Sequence, residues 1–213
     1  MKNNSSREHI LNKIAEAEKV SASILTGNTE FVNEEIFYQL GTDKVDTFKT
    51  ELEAVSGHCF VVKAESEQFN KVKEYLSELK IDSIFCRDIE ICEKLKKHGI
   101  PYSSDENQFN DMKVGITGCE ALVARTGSVL VSSAGVSGRQ MNVFPPVHIV
   151  LAKQSDMVDF PEDAILKMQN KYGNDLPSAV TFVTGPSRTA DIEKTLVLGA
   201  HGPKDFSVFL LLN

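Results

Sequence analysis

Residues 58–98, HCFVVKAESEQFNKVKEYLSELKIDSIFCRDIEICEKLKKH, decide the fold class of this chain. Two short apolar runs at 59–62 and 83–86 are each followed by a segment with helical spacing of apolar residues, 65–79 and 89–98. Short buried strands that alternate with helices are typical of a mainly parallel sheet covered on both faces. The stretch therefore predicts an α/β fold.

The strand series continues towards the C-terminus. Further apolar runs predict strands at 114–117, 127–132, 147–151, 179–183 and 206–212, and helical spacing predicts a helix at 162–170. Neither a repeat nor a linker rich in glycine and proline interrupts this series. We therefore expect residues 57–213 to form one α/β domain.

The first 56 residues have a different pattern. Apolar residues recur at helical spacing among charges in 6–25, and 31–40 and 44–55 are also predicted to be helical. Glycine-containing breaks separate these segments. We expect residues 1–56 to form a helical N-terminal segment.

The composition excludes several classes of protein. The 23 basic and 30 acidic side chains give a net charge of -7, which would not attract nucleic acid. No run of about 18 apolar residues is present to span a membrane, and the polar N-terminus does not resemble a signal peptide. We expect a cytoplasmic protein with neither a nucleic-acid partner nor a membrane span.

The cysteine pattern argues against a metal centre in this chain. Cys59, Cys86, Cys92 and Cys119 are widely separated, and no Cys-x-x-Cys pair is present to hold zinc or an iron–sulfur cluster. We expect reduced, mostly buried thiols and no cofactor bound by this chain. A redox centre, if the protein takes part in electron transfer, is expected elsewhere.

The segment TGPSRTADIEK at 184–194 is the most informative loop. It follows a predicted strand and contains turn and helix-capping residues ahead of a helix expected from about residue 190. Free backbone amides at that helix end, beside an arginine, are suited to a carboxylate or phosphate. The alternative is a capped junction whose arginine pairs with acidic neighbours. The candidate ligand-binding residues here are Gly185, Ser187, Arg188, Thr189 and Asp191.

Two further loops carry candidate residues. His201 lies in a Gly-Ala-His-Gly-Pro turn, where it could donate to a carboxylate, transfer a proton, or be satisfied by the backbone. Upstream, Thr126 and Gly127 supply neutral donors, and Arg139 could supply a countercharge, although arginine is usually a surface residue. His148 opens a strand-like run, which favours a place in the core or at a sheet edge.

Residues 184–193, TGPSRTADIE, followed by 198–203, LGAHGP, resemble the signature of the LUD domain found in LutC-type lactate-utilisation proteins, also called the YkgG or DUF162 family. The resemblance extends back through 125–128, 138–139 and 146–149 and is strong over the C-terminal half. It implies a three-layer fold similar to the NagB/RpiA/CoA-transferase group, with a helical N-terminal segment. It also implies participation in the oxidation of L-lactate to pyruvate beside iron–sulfur partner proteins.

One position departs from the family pattern. Many relatives have an acidic residue before the Thr-Gly pair, where this sequence has Arg125. Acyl or proton transfer through a carboxylate is therefore not expected at that position, whereas ligand binding is compatible with the additional cation.

Three functions stay open at this point. The first is a component of lactate oxidation that binds a small carboxylate through the 187–189 turn, with Arg139 and His201 nearby. The second is an independent enzyme acting on a sugar phosphate or an acyl-CoA, which needs a carboxylate in the pocket from Asp191, Glu193 or Glu120. The third is a non-catalytic scaffold whose N-terminal helix docks a partner.

Overall fold

The computed structural model describes residues 7–14, 16, 43–189, 197–199 and 201–212. The chain divides into two compact units, Met1–Gln39 and Leu40–Asn213. In the first unit, residues 7–14 and 16 are helical, within the helix predicted at 6–25. The rest of that prediction and the predicted helix at 31–40 lie outside the described residues. No helix among the described residues is long and apolar enough to cross a membrane.

The second unit contains five α-helices and twelve strands among its described residues. In chain order they are α1 (Lys44–Ala54), β1 (His58–Val62), α2 (Glu65–Glu78), β2 (Ile84–Phe85), α3 (Ile89–Lys97), β3 (Tyr102–Ser103), β4 (Val114–Thr117), β5 (Ala121–Val123), β6 (Ser128–Ser132), α4 (Gly138–Met141), β7 (Val147–Lys153), β8 (Met157–Val158), α5 (Pro161–Tyr172), β9 (Val180–Val183), β10 (Arg188–Thr189), β11 (Val197–Leu198) and β12 (Asp205–Leu211). Short 3-10 helices connect several of them.

The main sheet has six parallel strands in the order β1-β12-β7-β4-β2-β3. Helices α2 and α3 cover one face, where Phe69 and Leu95 pack with Ile116 of β4 and Phe209 of β12. All four side chains are fully buried. The alternation of strands and helices in 58–98 thus predicted a parallel sheet, and this prediction is confirmed.

A second, smaller sheet lies against the other face of the main sheet. Its strands follow the order β8-β5-β6-β9, and β6 is antiparallel to both β5 and β9. Its core cluster joins Val129 to Val150 and Val208 of the main sheet. The sequence analysis placed residues 127–132 and 179–183 in one strand series with the parallel strands. A link as short as that between β5 and β6 allows only an antiparallel pair, because parallel neighbours need a crossover of a dozen or more residues.

Helices α1 and α5 complete the layers. Phe48 and Leu52 of α1 are fully buried in the cluster between the two sheets. The sequence analysis assigned these residues to the N-terminal segment. Because the burial of apolar side chains stabilises a fold, α1 packs as part of the sheet-containing unit. On the outer face of the second sheet, Ala164 and Met168 of α5 pack on Leu130.

Candidate functional site

The parallel main sheet has a carboxyl edge, where its strands end, and an amino edge, where they begin. In open α/β sheets, ligands bind outside the carboxyl ends of the strands. At this edge a cleft of about 210 Å³ lies next to the ends of β2 and β4. We call it the carboxyl-edge cleft, and its polar lining includes Asp88, Thr117, Glu120, Ser132, Lys171 and Tyr172.

Glu120 organises one wall of this cleft. Its carboxylate accepts hydrogen bonds from Ser132 Oγ (2.6 Å), Lys171 Nζ (2.7 Å) and Tyr172 OH (2.8 Å). The Glu120 side chain is only 10% exposed. Burial opposes its ionisation, but the three hydrogen bonds outweigh burial and hold the pKa of Glu120 below its usual value. Glu120 is therefore an ionised anchor.

Lys171 brings the positive charge of the cleft. Its hydrogen bond to Glu120 raises the pKa of the Lys171 ammonium, so this group stays charged at neutral pH. The Lys171 side chain is 58% exposed. Because an ammonium has three N–H donors, it can bind Glu120 and a ligand carboxylate together.

The floor of the cleft includes Thr117, at the end of β4. Its hydroxyl lies 2.8 Å from Nε2 of His148, which is completely buried in β7. Burial lowers the pKa of His148 to about 4, so the imidazole is neutral at physiological pH. Within the described residues, Nδ1 of His148 has no hydrogen-bond partner. The sequence predicted that His148 lies in the core or at a sheet edge, and it lies in the core.

Cys119 also lines the cleft. Burial raises the pKa of its thiol far above neutrality, so Cys119 is not a thiolate nucleophile at physiological pH. All four cysteines are free, and Cys59, Cys86 and Cys92 are buried. The prediction of reduced, mostly buried thiols agrees with this.

The loop at 184–187 and the described residues 201–204, which precede β12, lie at the amino edge. The N–H of Lys204 donates to the carbonyl of Pro146, which precedes β7. The two loops are joined because the N–H of Ser187 donates to Pro203 O (2.8 Å) and the N–H of Gly199 donates to Ser187 O (2.9 Å). His201 is exposed in the second loop.

The position of these loops follows from β9. The sequence analysis expected the 184–194 segment at the carboxyl edge because it follows a strand. That strand belongs to the second sheet, where it runs antiparallel to β6, and its last residue, Val183, pairs with Val129 near the start of β6. Arg188 and Thr189 form strand β10, and the helix predicted from about residue 190 lies outside the described residues. Residues 190–196, including Asp191, lie outside the described residues.

Arg188 binds the end of α1. Its Nη2 donates to the carbonyl of Val55 and to Ser56 Oγ, the latter at 2.9 Å. Gly185, with φ of 81°, lets the loop approach this helix end, since a Cβ there would lie 2.8 Å from Val55 O. The loop that was expected to bind an anion therefore also caps a helix.

Thr126 and Gly127 face protein atoms. Thr126 Oγ1, Ser128 Oγ and Thr184 Oγ1 form a chain of hydroxyls with 2.7 Å between neighbours. Gly127 has φ of 61°, and a Cβ on it would lie 2.3 Å from the backbone nitrogen of Leu52 in α1. The space beside Gly127 is thus filled by a helix.

Arg139 lies near the opposite edge from Arg188. Arg139 is exposed, and it donates to Ser178 Oγ at 2.7 Å. In sequence it follows Ser137, a residue of the cleft lining, by two positions. The two arginine loops therefore do not form one pocket.

Of the carboxylates considered for an enzyme, Glu120 lines the cleft, whereas Asp191 and Glu193 lie outside the described residues.

The sequence analysis did not identify Lys171 or Tyr172. They lie 51 and 52 residues from Glu120 and reach it only because α5 packs on the second sheet. Neither residue belongs to a local motif, so the sequence carries no direct sign of this cluster.

Comparison with known proteins identifies the family. The LUD domain matches residues 45–211 of the 213-residue chain. The chain belongs to the LUD domain family. The matched region of the LUD domain begins within α1 and includes both edges of the main sheet.

Relatives of this LUD domain include two proteins named lactate utilization protein C. Lactate utilization protein C of Bacillus subtilis is 37% identical over 109 residues, which are 48% of this chain and 45% of the relative. Lactate utilization protein C 1 of Bacillus mycoides is 38% identical over 92 residues, 42% of this chain and 39% of the relative. The matched segments thus span less than half the length of these relatives.

A solved structure shows the same fold. The crystal structure of a DUF162 family protein from Deinococcus radiodurans superposes with a TM-score of 0.62 at 14% sequence identity. It covers 82% of this chain and all of that chain. The α/β fold class predicted from the sequence is confirmed.

Proposed function

We propose that this LUD domain is a component of an L-lactate utilisation system. In this proposal it takes part, beside iron–sulfur partner proteins, in the oxidation of L-lactate to pyruvate. The observation that carries the proposal is its 37–38% identity to proteins named lactate utilization protein C. Because the matches span less than half of those relatives, the role is proposed for the chain as one part of a larger system.

We place the small carboxylate ligand in the carboxyl-edge cleft. Its volume of about 210 Å³ is smaller than the roughly 300–1,000 Å³ of drug-sized ligand sites, which favours a small metabolite. Lys171 supplies one cation for a carboxylate. The Ser132 and Tyr172 hydroxyls donate their protons to Glu120, so their oxygens can accept a hydrogen bond from a hydroxyl group of the ligand. One ammonium in a cleft that also contains carboxylates suits a monoanion better than a more highly charged ligand.

Titration calorimetry with L-lactate and with pyruvate tests this placement. Lys171→Met should weaken binding up to about fivefold, because the Lys171 side chain is 58% exposed and an exposed charge contact contributes up to about 1 kcal/mol. Lys167→Met is the matched control, since Lys167 lies one turn earlier on α5, outside the cleft lining. Equal affinities in Lys171→Met and the wild type would refute the placement.

The pathway role is tested by capturing the chain from its native cytosol without oxygen. Iron–sulfur proteins should be recovered with it, and the recovered material should reduce a dye when L-lactate is added. Recovery of the chain alone, without lactate-dependent dye reduction, would contradict the role in lactate oxidation. The calorimetric test of ligand binding does not depend on that result.

A second candidate function is an enzyme that acts on a sugar phosphate or an acyl-CoA. The observation that favours it is the position of Glu120 in the cleft, where an ionised carboxylate can act as a base or nucleophile. Three hydrogen-bond donors stabilise the charged form and so reduce its basicity. Turnover of such substrates by the wild type, lost in Glu120→Gln, would favour this candidate, and complete inactivity of the wild type would remove it.

A further inference from the structure

A second pocket lies at the amino edge, away from the carboxyl-edge cleft. It has a volume of about 530 Å³ and is lined by Glu53, Ser56, Gly57, His58, Pro186, Arg188 and Lys204. We call it the amino-edge pocket. It lies where α1 ends, where β1 begins and just before β12. The two pockets share no lining residue.

The charge of the amino-edge pocket is opposite to that of the whole chain. Among its described lining residues, Arg188 and Lys204 supply two cations and His58 adds an imidazole, against the single carboxylate of Glu53. Beside the pocket, Nε2 of His58 lies 3.9 Å from the carboxylate of Asp205. The chain as a whole has a net charge of -7. A local excess of cations in an acidic protein favours an anionic ligand at this position.

Neighbouring residues restrain the Arg188 guanidinium and the Lys204 stem. Nη2 of Arg188 is fixed by Val55 O and Ser56 Oγ, and the guanidinium carries three further N–H groups. The Lys204 stem packs on Gly199, where a Cβ would lie 2.1 Å from Lys204 Cγ. These contacts reduce the entropy lost when the side chains bind a ligand.

Ser56 contributes a hydroxyl from an unusual backbone position. Helix α1 ends in a pair of bonds, from Gly57 N–H to Leu52 O and from Ser56 N–H to Glu53 O, with Ser56 at φ of 66°. Glycine is the usual residue in this left-handed position. Because Ser56 Oγ accepts from Arg188, its own hydroxyl proton is available to a ligand.

We infer that the amino-edge pocket binds the phosphoryl group of a small phosphorylated ligand. Two cations, an imidazole and a hydroxyl match the charge and the several acceptor oxygens of a dianion. Arginine and lysine are both common phosphate ligands, the first as a fork and the second as a point charge. The pocket is large enough to hold more of the ligand than the phosphoryl group.

The test uses inorganic phosphate as the probe, titrated calorimetrically into the full chain at low ionic strength, where exposed charges are least screened. Phosphate should bind the wild type, and Lys204→Met should weaken binding about fivefold, the upper end for an exposed charge contact. Lys73→Met, an equal charge change at an exposed residue of α2, is the matched control and should bind as the wild type does. Acetate should bind much more weakly than phosphate.

Ser56→Gly separates binding from folding. Glycine removes the hydroxyl and relieves the left-handed conformation, which is unfavourable for other residues. Thermal stability should therefore stay equal or rise, while phosphate binding falls about fivefold. Absence of phosphate binding to the wild type, unchanged binding in both pocket variants, an equal loss in Lys73→Met, or acetate binding as tightly as phosphate would each overturn the inference. Lactate binding in Lys171→Met is a separate measurement, so failure of the proposed function would be recognised independently.

Discussion

Replacing Gly127 with alanine should destabilise the fold through helix α1. The added Cβ would lie 2.3 Å from Leu52 N and 2.6 Å from the Glu51 carbonyl carbon, both in the backbone of α1. Backbone atoms cannot turn away as a side chain can, so the helix must shift, at an overpacking cost of about 1–3 kcal/mol. The left-handed φ of 61° adds about 1–2 kcal/mol for any residue other than glycine.

Gly99→Ala is the matched control for this experiment. Gly99 has a similar φ of 64°, but a Cβ there meets nothing within 4 Å. The control therefore carries the conformational cost without the steric one. Urea unfolding of both variants, compared at equal m-value, should place Gly127→Ala about 1–3 kcal/mol below Gly99→Ala. Equal destabilisation would refute the claim that Gly127 is needed for the approach of α1.

Two further predictions concern buried titratable groups. His148 is neutral in the folded protein, where its pKa is about 4, against an ordinary value of 6.5. The unfolded chain therefore binds a proton more readily, and the free energy of unfolding should fall by up to about 3 kcal/mol as the pH falls from about 6.5 to about 4. Urea unfolding at neutral and at acidic pH should show a weaker pH dependence in His148→Gln, and parallel profiles for wild type and variant would contradict this. A thiol reagent at neutral pH should modify the native protein slowly, because three cysteines are buried and burial raises the pKa of Cys119. Four thiols should react after unfolding, and one fast equivalent in the native state would show that Cys119 is activated.

The sequence predicted the local elements better than their partners. Apolar runs and helical spacing identified the strands of residues 58–98 and the helices between them, because burial imposes those periods directly. The separate second sheet was missed, since β6 is buried along most of its length and therefore reads as a continuous apolar run, like a strand of a parallel sheet. Helix α1 was predicted as a helix, but its burial against both sheets depends on long-range contacts such as that of Leu52 with Gly127.

In the candidate site, too, the local features were predictable from the sequence and the long-range contacts were not. The glycine-rich loops around Arg188 and His201 were recognised because glycine and proline mark constrained backbone in any context. Their edge of the sheet was not predictable from their own residues, since it depends on the direction of β9. Glu120 was considered only as one of three carboxylates, and its partners Lys171 and Tyr172 come from a helix about fifty residues away.

The arrangement of the two edges bears on how one small domain could hold two ligands. Strands β1 and β12 begin at the amino-edge pocket, whereas the carboxyl-edge cleft lies beyond the end of β4, on the other side of β7 in the sheet. The pockets differ in charge as well as in place: a lysine beside two carboxylates suits a small monoanion, and an arginine, a lysine and an imidazole beside one carboxylate suit a dianion. Since no lining residue is shared, neither ligand need displace the other, and any coupling between them would have to pass through the packed strands.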